Sequence, residues 1–311
     1  MAGAQLEADF WVNEYLTPCD VWQHGVLEVL AQRKTAYQEM LVVRSGSYGK
    51  ALVLDGKWQT CTGDEFLYHE PIAHAPCAIH GNPERVLIAG GADGGVLREV
   101  LKWQCVQEAV VADIDGEVVE ACREWLPEIH QGAFDDPRAR IEVGDAFDLI
   151  MRTRGTWDVI IADLTDPIEH GPAFKLFTRE FFAACRAALR PGGVFINQAG
   201  SLSPPLCQLT TRVVKTIGSE FTHCVLATAH VPTYGSPWGL ALARDMEFDK
   251  QPDPRRIDSL ISAQVRGPLK WFEGNALRAM LHTPRYLQEL IARETEVYTL
   301  SAPPQFFGRK A

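Results

Sequence analysis

The chain has 311 residues, of which 46% are hydrophobic and 23% are charged, and its formal net charge at pH 7 is −10. A chain of this length usually divides into two domains. The acidic balance argues against a nucleic-acid partner, which requires a basic surface, and is compatible with a cationic small molecule.

The chain carries no apolar run that approaches the length of a membrane span, so no membrane partner is expected. Its eight cysteines stand singly, without a Cys-x-x-Cys pair or a Cys/His cluster, which is typical of reduced thiols and predicts no metal site. The acidic N-terminus lacks the apolar segment of a signal peptide. We therefore expect a cytoplasmic protein.

The N-terminal part predicts antiparallel β-structure. Segments 37–46 and 50–56 are rich in apolar and β-branched residues, and the turn sequence SGSYG separates them. Segment 64–79, DEFLYHEPIAHAPCAI, then predicts a helix with an acidic start. These signals indicate a small β domain over residues 1–64.

The remaining chain, residues 65–311, alternates strand and helix patterns after HGNPER. Continuous apolar strands separated by helices predict a parallel sheet that is covered on both faces. Two further strands, HCVLATAHVP and WGLALARD, and a helical tail over about 252–294 complete the domain. The predicted strands of the parallel sheet are 85–89, 109–113, 140–143, 158–162 and 193–198.

Four acids follow strands of this sheet. The glycine-rich turn in VLIAGGADGGVLREV contains Asp93, and Asp113 stands twenty residues later at the end of the next strand. Asp145 follows the third strand and Asp163 the fourth. Each alone could be a loop acid or a helix cap. Together they predict a nucleoside site, because ligands bind at the carboxyl ends of parallel strands and an acid in the position of Asp113 binds ribose hydroxyls.

Asp93 restricts the nucleoside further. A carboxylate within the turn would repel a pyrophosphate, and it suits the carboxylate of S-adenosylmethionine poorly. A tail that ends in a bare ammonium would suit it well, as in decarboxylated S-adenosylmethionine. The stretch IADLTDP adds Asp163 and Asp166, and no Lys or Arg stands between Trp157 and Ala173 to neutralise them. Carboxylates at a core edge need a cationic partner, and an amine substrate would supply one.

Several motifs in order resemble the polyamine aminopropyltransferases, the family of spermidine synthase. They are YQEMLVVRSGSYGKALVLDG, DEFLYHE, VLIAGGADGGVLREVLK, DIDGEVVE, VGDAFD, IADLTDP and HVPTYGSPWG, and the similarity covers nearly the whole chain. The resemblance implies a Rossmann-like, methyltransferase-type doubly wound α/β domain with an N-terminal antiparallel β domain. It also implies a homodimer or homotetramer, and a loop over about 164–175 that closes on the substrates.

The resemblance assigns residues to a donor site for decarboxylated S-adenosylmethionine, which serves as co-substrate, with no further cofactor and no metal. In chain order they are Gln38 at the donor's tail, Gly90 in the turn, Asp93 at the amine, Asp113 at the ribose, Ile114 against the adenine, and Asp145 with Ala146 at the adenine edge.

The resemblance also assigns the acceptor site. Asp163 would orient the attacking amine and accept its proton late, with Tyr68 and Tyr234 shaping the pocket around it. Gln59 would line the acceptor channel, and Asp166 would hold a second ammonium of the acceptor. The expected reaction is aminopropyl transfer to putrescine, which gives spermidine and methylthioadenosine.

The sequence motifs are also compatible with other acceptors and activities. DLTDP, EHGPAFKLFT and QAG are similar to relatives that act on longer or differently capped amines, so spermidine or agmatine is an alternative acceptor. An S-adenosylmethionine-dependent methyltransferase, a nucleoside-binding module without catalysis and a nicotinamide oxidoreductase are alternative functions. Asp93 argues against the first and the last.

Four further residues could serve the site or only the packing. His69 and His74 could act as general bases but are interpreted as helix histidines near the domain junction. Trp11 and Trp22 could wall the acceptor channel, because aromatic faces attract ammonium groups, or could pack in the core or an oligomer contact.

Overall fold

A computed structural model describes residue 8 and residues 10–167 and 173–304. Its first five strands form one antiparallel sheet in which each strand pairs with the next. Strands β3 and β4 correspond to the two predicted segments. The longer strands β1 and β2 precede them and were not predicted. The five strands are β1 (Phe10–Thr17), β2 (Asp20–Lys34), β3 (Glu39–Ser45), β4 (Gly49–Leu54) and β5 (Lys57–Cys61).

The second sheet has seven strands in the order β11-β12-β10-β9-β6-β7-β8. The five strands from β6 to β10 run parallel to one another, whereas β12 is antiparallel to both β10 and β11. The predicted α/β sheet is therefore confirmed, with a mixed edge. Its strands are β6 (Arg85–Gly90), β7 (Glu108–Asp113), β8 (Ala139–Val143), β9 (Trp157–Asp163), β10 (Leu189–Ser201), β11 (His223–Val231) and β12 (Ser236–Arg244).

Helices cover both faces of this sheet, as the doubly wound prediction requires. The predicted helical tail consists of three helices, α8 to α10. The α-helices of the described chain are α1 (Phe66–His80), α2 (Gly95–Leu101), α3 (Gly116–Trp125), α4 (Pro127–His130), α5 (Ala146–Arg152), α6 (Arg179–Ala188), α7 (Gln208–Gly218), α8 (Pro254–Gln264), α9 (Gly274–Met280) and α10 (Arg285–Arg293).

Alternation along the strands divides the core into two layers. In β6, Val86 and Ile88 pack on the face covered by α1, α2, α8 and α9. Leu87 and Ala89 pack on the opposite face, against α5, α6, α7 and α10. Every one of these four β6 side chains is fully buried, which explains why β6 reads as a continuous apolar run rather than an alternating one.

The two sheets meet through α3. Met40 and Leu52 of the first sheet are buried against Val118 and Cys122 of that helix. Residues of the first sheet share a cavity with the residues that follow β6 and β7. None of the helices among the described residues has the length and apolar character needed to cross a membrane.

Candidate active site

A cavity lies between the first sheet and the carboxyl ends of the parallel strands. Its walls come from β1, β4 and β5 on one side and from the turns after β6, β7, β8 and β9 on the other. Seven carboxylates line it, belonging to Glu14, Asp55, Asp93, Asp113, Asp145, Asp163 and Asp166. All the residues that the sequence assigned to the site line the same cavity.

The glycine-rich turn packs directly against the end of β9. Gly90 has a φ of +82°, and a Cβ added there would lie 2.0 Å from the backbone oxygen of Asp163. The amide of Gly91 donates to that same oxygen at 3.1 Å. Only glycine fits so close an approach at positive φ, and the approach brings the turn and Asp163 together.

Asp93 is held from two sides. Its Oδ1 accepts the amide of Gly95 at 2.8 Å, and its Oδ2 lies 3.2 Å from Nε2 of His69. The other ring nitrogen of His69 lies 2.6 Å from Oε2 of Glu65. Burial alone would lower the pKa of His69, but the charges and hydrogen bonds of Asp93 and Glu65 outweigh burial and raise it to about 10. His69 is therefore a cation that holds Asp93 ionised, and the pKa of Asp93 is lowered in spite of burial.

His69 is thus a site residue that the sequence interpretation assigned to packing. It lines the cavity. The available signal was its position next to Tyr68 and one helical turn after Glu65, which places the two side chains on one face of α1. His74 does lie in the core, where its ring bonds to Glu99 at 2.8 Å and accepts the indole N–H of Trp103 at 2.9 Å.

Asp163 also lines the cavity. The hydroxyl of Tyr68 donates to its Oδ1 at 2.7 Å. Burial, followed by the charge of Asp93, raises the pKa of Asp163 to about 6, and the hydrogen bond from Tyr68 opposes this rise. The Tyr234 ring packs edge-on to Tyr68, with 5.8 Å between centroids, and its hydroxyl donates to the backbone oxygen of Gln59 at 2.7 Å. Burial raises the pKa of both tyrosines well above the usual value, so both remain neutral donors.

The nucleoside side of the cavity lies over β7 and β8. Burial raises the pKa of Asp113 to about 6, and its Oδ1 accepts the amide of Asp115 at 2.9 Å. Asp145 caps α5 by accepting the amide of Phe147 at 2.9 Å, and it is also paired with Lys175. The side-chain amide of Gln38 donates to Asp115 at 3.0 Å.

The opposite end of the cavity contains residues that the sequence did not assign to the site. Gln198 on β10 donates to Oδ1 of Asp166 at 3.3 Å and to the backbone oxygen of Leu164 at 2.9 Å. Its own Oε1 accepts the indole N–H of Trp238 at 3.1 Å. Glu14 and Lys57 come from the first sheet.

Trp58 and Trp238, rather than Trp11 and Trp22, are the tryptophans among the described residues that line the cavity. Trp22 is 40% exposed. The predicted closing loop, 164–175, lies in part outside the described residues. Within the described ranges, no cluster of three or more His, Cys, Asp or Glu side chains is arranged to hold a metal ion.

Comparison with known proteins places this geometry in a family. Two family sequence models match the chain, the spermine/spermidine synthase domain over residues 65–251 and the spermidine synthase tetramerisation domain over residues 10–62. A polyamine aminopropyltransferase of Synechococcus sp. (strain JA-2-3B'a(2-13)) is 47% identical over 304 residues, which cover 95% of this chain and 97% of the relative. The thermospermine synthase ACAULIS5 of Arabidopsis thaliana is 32% identical over 291 residues, which cover 93% and 85% of the two chains.

A solved structure shares the fold. The crystal structure of a spermidine synthase in complex with the transition-state analogue AdoDATO matches with a TM-score of 0.85 at 30% identity, over 93% of this chain and 97% of that one. These matches span both sheets and the cavity between them. The chain therefore belongs to the spermine/spermidine synthase family, the polyamine aminopropyltransferases, and the resemblance found in the sequence is confirmed.

Proposed function

We propose that this enzyme transfers the aminopropyl group of decarboxylated S-adenosylmethionine to putrescine and releases spermidine and methylthioadenosine. The observation that carries the proposal is the position of Asp163. It lines one cavity together with Asp93, which suits the ammonium of the donor, and Asp166, which suits the distal ammonium of a short diamine. Asp163 and Asp166 therefore match the two nitrogens of the acceptor.

The donor is bound by the side of the cavity that holds the glycine turn. Asp93, kept ionised by His69, receives the terminal ammonium of the aminopropyl group. Asp113 receives the ribose hydroxyls, and Ile114 packs on the adenine. Asp145 and Ala146 receive the adenine edge, so adenine competes with Lys175 for the carboxylate of Asp145.

The chemical step is a direct displacement. The acceptor nitrogen forms a bond to the propyl carbon, the carbon–sulfur bond breaks, and its electron pair stays on the sulfur of methylthioadenosine. The sulfonium is already an activated leaving group, so the enzyme contributes mainly the alignment of the two substrates. The cavity supplies that alignment by fixing one cationic group of each substrate.

The attacking nitrogen must lose a proton. An alkylammonium with a pKa near 10.4 costs about 4–5 kcal/mol to deprotonate at pH 7. An aspartate of ordinary pKa would be a poor acceptor for that proton. Burial raises the pKa of Asp163 to about 6, which narrows the gap between its pKa and that of the amine. Asp163 therefore orients the neutral amine and accepts the proton that the nitrogen releases once the new nitrogen–carbon bond has formed.

One assay tests the proposal. The purified full chain is incubated with decarboxylated S-adenosylmethionine and, separately, with putrescine, agmatine and spermidine, and the products are separated by chromatography. We expect the largest kcat/KM with putrescine. Turnover with spermidine or agmatine but not putrescine would overturn the acceptor assignment. Methyl transfer from intact S-adenosylmethionine would overturn the reaction itself.

We also propose that the enzyme is a homo-oligomer that assembles through the first sheet. Support comes from the match of residues 10–62 to a tetramerisation domain and from large apolar side chains on β1 and β2 that are about half exposed, namely Phe10, Tyr15, Leu27 and Val29. Light scattering of the purified chain distinguishes a dimer from a tetramer, and a monomer would contradict the proposal.

A further inference from the structure

The cavity contains one resident cation that the family motifs do not explain. Among the described residues that line it, Lys57 is the one Lys or Arg, against seven carboxylates. Its Nζ lies 4.0 Å from Oε2 of Glu14 and donates to the backbone oxygen of Tyr15 at 3.5 Å. Its side chain is 24% exposed, so the ammonium belongs to the cavity wall rather than to the outer surface.

Lys57 faces two carboxylates at the acceptor end. Glu14 is fixed there, because its Oε1 accepts the backbone amide of Trp58 at 3.0 Å and its side chain is only 11% exposed. The charge of Lys57 acts on both Glu14 and Asp166, and these two carboxylates also repel each other. The three side chains therefore form a charge cluster of two anions and one cation, which we call the distal cluster.

The distal cluster has room for one more positive charge. A diamine that attacks through a neutral nitrogen keeps one ammonium, and that ammonium balances the cluster. A triamine keeps two, and the second would meet the ammonium of Lys57, because the distal cluster holds no third carboxylate to offset the repulsion. We propose that Lys57 is a specificity-determining residue that restricts the acceptor to amines carrying one positive charge besides the attacking nitrogen. This inference rests on the proposed aminopropyl transfer and adds a charge rule to it.

The rule makes a distinction that length alone does not make. Agmatine is longer than putrescine, yet it also retains a single charge, on its guanidinium, once its amine is neutral. Lys57 should therefore discriminate against spermidine and should leave the ratio between agmatine and putrescine unchanged. A wall that acted only through size would change both ratios when it was trimmed.

The test compares four variants of the full chain with the wild type. Lys57→Met and Lys57→Gln remove the charge, and Lys57→Arg keeps it. Lys34→Met removes a charge from the same sheet at a side chain that is 80% exposed and is not among the cavity-lining residues. Values of kcat/KM for the three amines are measured at saturating donor, one to two pH units above the pKa of Glu14, which burial raises to about 7, so that Glu14 stays ionised.

We expect the spermidine-to-putrescine ratio of kcat/KM to rise about tenfold or more in both charge-removing variants. It should stay within about twofold of wild type in Lys57→Arg and Lys34→Met. An unchanged ratio in whichever charge-removing variant folds would overturn the inference while leaving aminopropyl transfer intact. An equal rise in the agmatine-to-putrescine ratio would show that Lys57 selects acceptors by size rather than by charge. If no amine accepts the group with any form of the enzyme, the proposed function itself is wrong.

Discussion

Replacing Tyr68 with phenylalanine tests whether Asp163 must be ionised during turnover. The hydroxyl of Tyr68 donates to Oδ1 of Asp163 at 2.7 Å and so stabilises the carboxylate relative to the neutral acid. Phenylalanine keeps the ring, which packs edge-on to Tyr234, and removes only this donor. Nothing else changes among the groups that raise the pKa of Asp163, which are burial and the charges of Asp93 and Asp113.

The magnitude follows from the strength of a hydrogen bond to a charged group, about 1.5–3 kcal/mol. At 1.36 kcal/mol per pKa unit, its loss raises the pKa of Asp163 by about one to two units. The pKa of Asp163 is about 6 in the wild type, so it moves to roughly 7–8 in the variant. At pH 7 the ionised fraction then falls from about nine-tenths to between about one-half and one-tenth. The expected loss of activity at pH 7 is therefore about twofold to tenfold.

The assay is the ratio of variant to wild-type kcat/KM for the acceptor across the pH range. Ionisation of the amine substrate affects both enzymes equally and cancels in that ratio. We expect the ratio to rise with pH and to level off about one to two units above the shifted pKa. A ratio that is equally low at every pH would mean that Tyr68 acts through geometry alone, and a ratio of one throughout would mean that the ionisation of Asp163 does not limit the rate.

Three further substitutions examine the other parts of the site. Asp163→Asn should lower kcat by about a hundredfold or more while changing the Kd of methylthioadenosine, measured by calorimetry, by less than about threefold; equal losses in both would contradict its assigned role. Asp93→Asn should weaken the binding of decarboxylated S-adenosylmethionine by about tenfold relative to that of methylthioadenosine, which lacks the ammonium tail. Competition binding measures both affinities. Gly95→Ala places a Cβ 2.3 Å from the ring of His69, so it should displace that ring from Asp93 and raise the KM for the donor. A lower Tm with an unchanged donor KM would show that His69 does not contribute to donor binding.

The main sheet could be predicted because each of its strands carries its own signal. Strands β6, β7 and β9 are buried on both faces, so each reads as an apolar run. Strands β1 and β2 have no such signal, because most of their side chains are intermediate or exposed and β2 shifts register against β3 at two points. Strand β12 lies between β10 and β11, and this pairing depends on contacts between distant segments that no local sequence pattern encodes.

The same distinction applies to the site. Asp113, Asp145 and Asp163 could be located in advance because each follows a strand, and the ends of parallel strands meet at one edge. Glu14 and Lys57 reach the cavity from a different sheet, so their positions depend on how α3 docks the two sheets together. The pairing of His69 with Asp93 depends on the approach of α1 to the glycine turn. These contacts arise from packing between distant segments, which sequence periodicity does not report.

The buried acids fall into two groups, one with lowered and one with raised pKa values, and the difference bears on the binding of cationic ligands. Glu65 and Glu99 are paired with Arg98, and their histidine partners lie within 2.8 Å, so their pKa values are lowered. Lowered pKa values mean that these acids stabilise the fold above their unfolded pKa of about 4.3 and lose that contribution as the pH falls.

Asp113 and Asp163 show the opposite behaviour, because burial raises the pKa of each to about 6. From an unfolded value near 3.9, each ionised carboxylate costs on the order of 3 kcal/mol of stability once the pH exceeds its folded pKa. A fold that pairs Glu65 and Glu99 with resident cations could have paired these acids too. Leaving Asp163 with little resident compensation gives a cationic substrate a larger electrostatic gain on binding than a neutralised site could offer, because the ligand supplies the charge that the cavity lacks.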